Sequence, residues 1–86
     1  MKRFPLTVSS PDGNQFQGEI YKLDVRGTEG ELAVMADHAP FVTSLVKAPI
    51  RIWTDEESVL EAESDGGILT VSRDGAVLIA GSFQMR

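Results

Sequence analysis

Apolar residues recur at every second position along much of this chain. Phe4, Leu6 and Val8 fall on one face of an extended segment spanning residues 4–10. Tyr21, Leu23 and Val25 share one face of a second, with Lys22, Asp24 and Arg26 on the other, as the two-residue repeat of a half-buried strand requires. Leu32 with Val34, and Ile50 with Ile52, repeat the habit. Residues 41–46 differ, being apolar on both faces, and are expected to run through the centre of a sandwich. Turn-forming residues separate most of these runs: Pro11-Asp12-Gly13, residues 27–30, Gly66-Gly67 and Asp74-Gly75. Many short strands with regular turn signals predict an all-β sandwich or barrel.

Asp74-Gly75 predicts a tight hairpin, because both residues tolerate the positive φ that a primed turn demands. Gly66-Gly67 is expected to serve a similar hairpin one strand earlier. One segment pulls towards helix. Thr54-Asp55-Glu56-Glu57 has the form of a capping box, and Ser58-Val59-Leu60-Glu61-Ala62-Glu63 contains good helix formers. Such a helix would be about ten residues long, below what propensity sustains, and Val59, Leu60 and Ala62 make too narrow an apolar stripe. A strand, a polar turn and a strand are expected there.

Length and charge narrow the class. The 86 residues make one domain, 1–86, and a chain of this size buries only roughly 60 to 65% of the surface its unfolded form exposes, which favours two packed layers. A net charge of −5, with eight Lys and Arg scattered along the chain, lacks the electrostatic footprint of a nucleic-acid binder. The absence of cysteine excludes a disulfide scaffold, a zinc knuckle and a thiol nucleophile. No run reaches the roughly 18 apolar residues of a spanning helix, and the N-terminal apolar stretch is too short for a signal peptide. These features predict a soluble, cytoplasmic chain, unless it is a domain of something longer.

The chemistry-bearing residues are few. His38 is the only histidine and stands next to Asp37, but a triad also needs a nucleophile within reach of the imidazole, and no nucleophile turn is present. One histidine with scattered acids is poor metal spacing, and a turn residue whose ring bonds nearby backbone is the plainer reading. Gly27 and Gly30 are backbone-permissive positions and not a phosphate loop, since no Lys-Ser or Lys-Thr follows. Six acids, Asp55, Glu56, Glu57, Glu61, Glu63 and Asp65, lack calcium-loop spacing and are expected on a solvated hairpin face. Trp53 is read as a core or sheet-edge aromatic, or, if exposed, as an interface anchor.

Four segments, in order, resemble the N-terminal domain of the epsilon subunit of F-type ATP synthases. Gly27-Thr28-Glu29-Gly30-Glu31-Leu32-Ala33-Val34, followed after three residues by His38-Ala39-Pro40-Phe41, is similar to that family's loop, strand and turn. Residues 4–13 match its first strand and turn, Phe16-Gln17-Gly18-Glu19 its Phe-x-Gly-Glu, and Gly66-Gly67-Ile68-Leu69-Thr70-Val71 its Gly-Gly-x-Leu-x-Val. Ala33 stands where the family commonly has Gly, and Ala48-Pro49 where it usually has Pro-Gly.

The resemblance implies a flattened antiparallel β-sandwich of about eight to ten short strands, with a strand, turn and strand across the acidic segment. It implies a non-catalytic rotor subunit that couples ion translocation to ATP synthesis or hydrolysis. Its partners would be the gamma subunit, met near Ser10, His38 and Thr43, and the c-ring, met by Gly27, Thr28, Glu29, Gly30 and Glu31. It implies no catalytic residue, metal or cofactor, and a peripheral place on the cytoplasmic face of the membrane. The family's nucleotide-contacting helical hairpin would begin at Arg86, so no nucleotide binding is expected of this chain, whether it is a short form or a piece. The rival expectation is a stand-alone ligand-binding or adaptor module on the same fold, which would need a concave site with convergent polar groups.

Overall fold

The computed structural model describes residues 2–86. Among them are ten strands and no helix: β1 (Phe4–Ser10), β2 (Gly13–Ile20), β3 (Lys22–Gly27), β4 (Gly30–Met35), β5 (Phe41–Leu45), β6 (Ala48–Trp53), β7 (Val59–Ser64), β8 (Gly67–Ser72), β9 (Gly75–Ile79) and β10 (Phe83–Met85). They pair in the order β10-β7-β6-β3-β5-β8-β9-β1-β2, with β4 on the free side of β3. The path folds into two layers, β4-β3-β6-β7-β10 and β5-β8-β9-β1-β2. All pairings are antiparallel except β1 with β9, which is parallel.

Alternation places the core between the layers. Leu6 and Val8 of β1, Leu23 and Val25 of β3, Ile50 and Ile52 of β6, Leu69 of β8 and Leu78 of β9 are all buried. Their chain neighbours point outward, as the two-residue period dictates.

Three hairpins share one construction. Pro11-Asp12, Thr28-Glu29 and Arg73-Asp74 form two-residue tips, each followed by a glycine at positive φ: Gly13, Gly30 and Gly75. The hairpin expected at Asp74-Gly75 therefore forms, but its tip lies one residue earlier and Asp74 does not take positive φ. The hairpin expected at Gly66-Gly67 does not form. β7 pairs with β6 and β10 while β8 pairs with β5 and β9, so the two glycines turn a corner between layers. Only glycine fits that corner: a Cβ on Gly67 would sit 2.2 Å from the Ile79 carbonyl oxygen, and one on Gly66 would sit 2.9 Å from that of Leu45.

Residues 54–58 form the predicted hairpin tip. Trp53 faces Val59 in the ladder, the Thr54 N–H donates to the Ser58 carbonyl at 2.9 Å, and Asp55 Oδ1 accepts the N–H groups of Glu57 and Ser58 at 2.8 and 2.7 Å. The residues that resemble a helix cap thus close an Asx-type turn, which competes for the same donors.

Candidate functional site

The outer faces of the two layers differ in character. On the β5-β8-β9-β1 layer, outward residues align across the strands in two rows: Val42, Thr70, Val77 and Thr7, then Ser44, Ile68, Ile79 and Ser9. Val42 is 68% exposed, Ile79 58%, Ile68 50% and Val77 41%. Residues 41–46 are therefore not buried on both faces as their composition predicts; one face meets the core and the other opens to solvent. Four exposed β-branched residues on three adjacent strands, flanked by short hydroxyl side chains, make a flat apolar patch of the kind that marks a protein-binding surface.

The other layer carries charge. Arg26 pairs with Glu31 at 3.9 Å, Lys22 with Asp24 at 3.7 Å and Arg51 with Glu61 at 3.8 Å, and Arg86 pairs with Glu61 and Glu63. Trp53 is half-buried there, with Lys22 Nζ 5.1 Å from its ring centroid and its indole N–H donating to Asp24 at 2.9 Å. It is a sheet-face aromatic already engaged by its neighbours.

The predicted interface residues fall in two places. Thr28 and Glu29 form the exposed β3-β4 tip between Gly27 and Gly30, and Glu31 follows with its side chain 82% exposed. His38 and Thr43 border the same region. Gly27, Glu29, Gly30, Glu31, His38 and Thr43 all line one open cleft of about 420 Å³, whose apolar walls are Leu32, Phe41 and Val42. Residues assigned to two different partners are thus contiguous. Thr43 is half-buried and faces Gly27, while its neighbours Val42 and Ser44 face outward. Ser10 lies apart at the end of β1, half-buried and accepting hydrogen bonds from the Asp12 N–H and the Gln15 side chain. The apolar patch spans the interval between Ser10 and Thr43.

Asp37 and His38 do not pair. The Asp37 carboxylate accepts Lys2 Nζ at 2.8 Å, a contact that raises the Lys2 pKa through its hydrogen bond and charge. His38 Nδ1 lies 2.9 Å from the Ala39 carbonyl, and its ring sits 4.9 Å from Phe41, as the plain turn reading expects. Asp37 itself holds φ at 67°, the only non-glycine at positive φ among the described residues. A second concavity, of about 560 Å³, is lined by Ala33, Ala48 and Pro49, positions where the chain departs from the pattern above. Its charged walls are Asp24, Arg26, Glu31 and Arg51, and all four sit in the ion pairs Arg26–Glu31, Lys22–Asp24 and Arg51–Glu61. Convergent unpaired polar groups of the sort a ligand site needs are not found in either concavity among the described residues.

The apolar patch is what inspection of motifs missed. Its signal was present in Ile68-Leu69 and Val77-Leu78-Ile79, where apolar residues occupy consecutive positions and so must fall on both faces of a strand.

A family model described as the ATP synthase delta/epsilon chain β-sandwich domain matches residues 3–85. An ATP synthase epsilon chain of Brevibacillus brevis is 28% identical over 85 residues, covering 99% of this chain and 64% of its own length. One from Bacillus licheniformis is 34% identical over 80 residues, covering 93% and 60%. The chain therefore spans about three-fifths of the length of these relatives. Among solved structures, a chain of the Euglena gracilis mitochondrial ATP synthase OSCP/F1/c-ring assembly superposes with a TM-score of 0.90 at 19% identity, covering 96% of this chain and 53% of that one.

Proposed function

Because the chain belongs to the family of ATP synthase delta/epsilon β-sandwich domains, we propose that it is a non-catalytic central-stalk subunit of an F-type ATP synthase. It binds the gamma subunit and the c-ring, and so couples ion translocation to ATP synthesis or hydrolysis. The observation that carries this reading is the apolar outer face of Val42, Ile68, Val77 and Ile79. A face of this kind, with Ser10 at one margin and Thr43 and His38 at the other, suits the centre of a standard interface of roughly 800 Å² per partner. Gamma is its occupant.

The exposed Thr28-Glu29 tip and Glu31, at the border of that face, meet the c-ring. Exposed carboxylates there favour basic loops, acting on orientation and encounter more than on affinity. The subunit works at the cytoplasmic face of the membrane and is held there by the complex. No nucleotide site is part of this reading: the described residues offer no helix N-terminus, and anion binding of that kind needs clustered donors or cations. An affinity-tagged copy expressed in the native host and purified from detergent-solubilised membranes is expected to bring down gamma and c subunits together. Recovery of the tagged chain with neither would refute the assignment.

A further inference from the structure

We propose that the β3-β4 hairpin and strand β5 form a single strut joining the tip of the hairpin to the apolar face, with Gly27 as its positioning residue. This inference rests on the assignment above only in naming what docks at each end. The sheet ladder passes from one layer to the other between β3 and β5, and it does so at the register pair Gly27 and Leu45. Two further backbone bonds flank that pair. The Thr28 N–H donates to the Ser44 carbonyl at 3.1 Å, and the Val46 N–H donates to the Arg26 carbonyl at 3.0 Å. Thr28 belongs to the exposed tip, whereas Ser44 lies in the apolar face beside Ile68. One hydrogen bond therefore separates the two surfaces.

Gly27 makes this approach possible by what it lacks. It is buried, on the same inward face as Leu23 and Val25. A Cβ there would stand 3.1 Å from Leu32 Cδ2, 3.4 Å from Thr43 Oγ1 and 3.5 Å from the Gly30 carbonyl oxygen. The first contact is the far end of a flexible side chain and can yield to a methyl group. A branched side chain would also press on Thr43 of β5 and on the turn backbone, driving the hairpin away from β5. The backbone at Gly27 is not left-handed, so the neighbours, and not φ, exclude a side chain. Energetic coupling between two sites needs a physical element that both bias. The short bridge from Arg26 to Thr28 and from Ser44 to Val46 is that element: a partner seated on Val42 and Ser44 holds the tip, and a load on the tip is delivered to β5.

Amide hydrogen exchange read by NMR tests the strut. In the free native chain, the Thr28 and Val46 amides are expected to exchange at least 100-fold more slowly than the Glu29 amide at the tip. Saturating gamma should slow Thr28 a further tenfold or more. At saturating gamma, Gly27→Val should speed Thr28 exchange at least tenfold, change the Ile52 and Leu78 amides less than twofold and abolish the gamma-induced slowing. Should Gly27→Val not fold, Gly27→Ala is expected to fold and to speed Thr28 about threefold. Unprotected Thr28 and Val46 amides in the free native chain would overturn the strut whatever gamma does. So would bound gamma that leaves Thr28 exchange unchanged, or that slows it equally in the glycine variants. Intact protection in a chain that ignores gamma would instead overturn the functional assignment, and with it the coupling role of the strut.

Discussion

Replacing Ile68 and Ile79 together by threonine tests whether the apolar face is a docking surface. Both side chains point outward from strands inside the layer, 50% and 58% exposed, and threonine keeps the β-branch that suits a strand. Each substitution removes two carbons, of which roughly half the surface is free in the isolated chain. At about 0.8 kcal/mol per buried CH₂, the lost burial in a complex is about 0.8 kcal/mol per site. Burying an added hydroxyl without a partner costs a further ~0.5–2 kcal/mol. The pair should therefore weaken gamma binding by roughly 3 to 6 kcal/mol, or at least about 100-fold in Kd. Titration calorimetry against purified gamma reads the affinity, and thermal unfolding followed by circular dichroism supplies the control. The half of each removed surface that is already buried in the isolated chain should cost the fold about 0.8 kcal/mol per site by the same measure, so Tm should fall by no more than about 10 °C. A Kd within threefold of the native value would refute the assignment of this face. A melting temperature lower by more than about 10 °C would show that these residues serve the fold instead.

Three further outcomes follow from single residues. Glu31→Lys should weaken the coupling of ion flow to ATP turnover in the assembled enzyme while leaving the isolated chain's Tm within about 4 °C, because its 3.9 Å pair with Arg26 is exposed and such pairs contribute under about 1 kcal/mol; a larger drop would indicate a structural role. Gly67→Ala should lower Tm by more than about 10 °C, since its Cβ would meet the Ile79 carbonyl oxygen at 2.2 Å and φ is 145°; a shift under about 3 °C would contradict the corner geometry. The Asp55 carboxyl is held below its ordinary value of 3.8 by the Glu57 N–H and then by that of Ser58. The turn's contribution is thus present above pH 3.8 and lost as pH falls through the lower folded value. An NMR titration of the Asp55 carboxyl with a midpoint at or above 3.8 would contradict this.

Period-two alternation made most of the strands legible, because burial between two layers forces residues such as Leu23 and Val25 inward and Asp24 outward. Local turn chemistry was legible in kind more than in detail. Asp74-Gly75 marked a real hairpin, yet the glycine follows the tip instead of occupying it. Gly66-Gly67 carried the same local signal but serves a corner, because the choice between pairing with the preceding strand and crossing layers depends on distant backbone such as the Ile79 carbonyl. The parallel pairing of β1 with β9 joins the chain's beginning to its end, and no local pattern encodes it. At the candidate site, the exposure of Glu31 and the turn role of His38 followed from their places beside a turn. The inward direction of Thr43 follows only from the strand phase set by Leu45. The apolar face was hidden because consecutive apolar residues read equally well as a strand buried on both sides, and only the tertiary arrangement leaves Val42, Ile68 and Ile79 exposed among the described residues.

A chain that docks on the shaft of a rotary ATP synthase must bind the gamma subunit in isolation. Size-exclusion chromatography of the purified chain mixed with the gamma subunit of the same organism, at micromolar concentration, tests it most directly. One peak containing both proteins in equal amounts is expected; two separate peaks, each at the position of the isolated protein, would rule out docking on gamma.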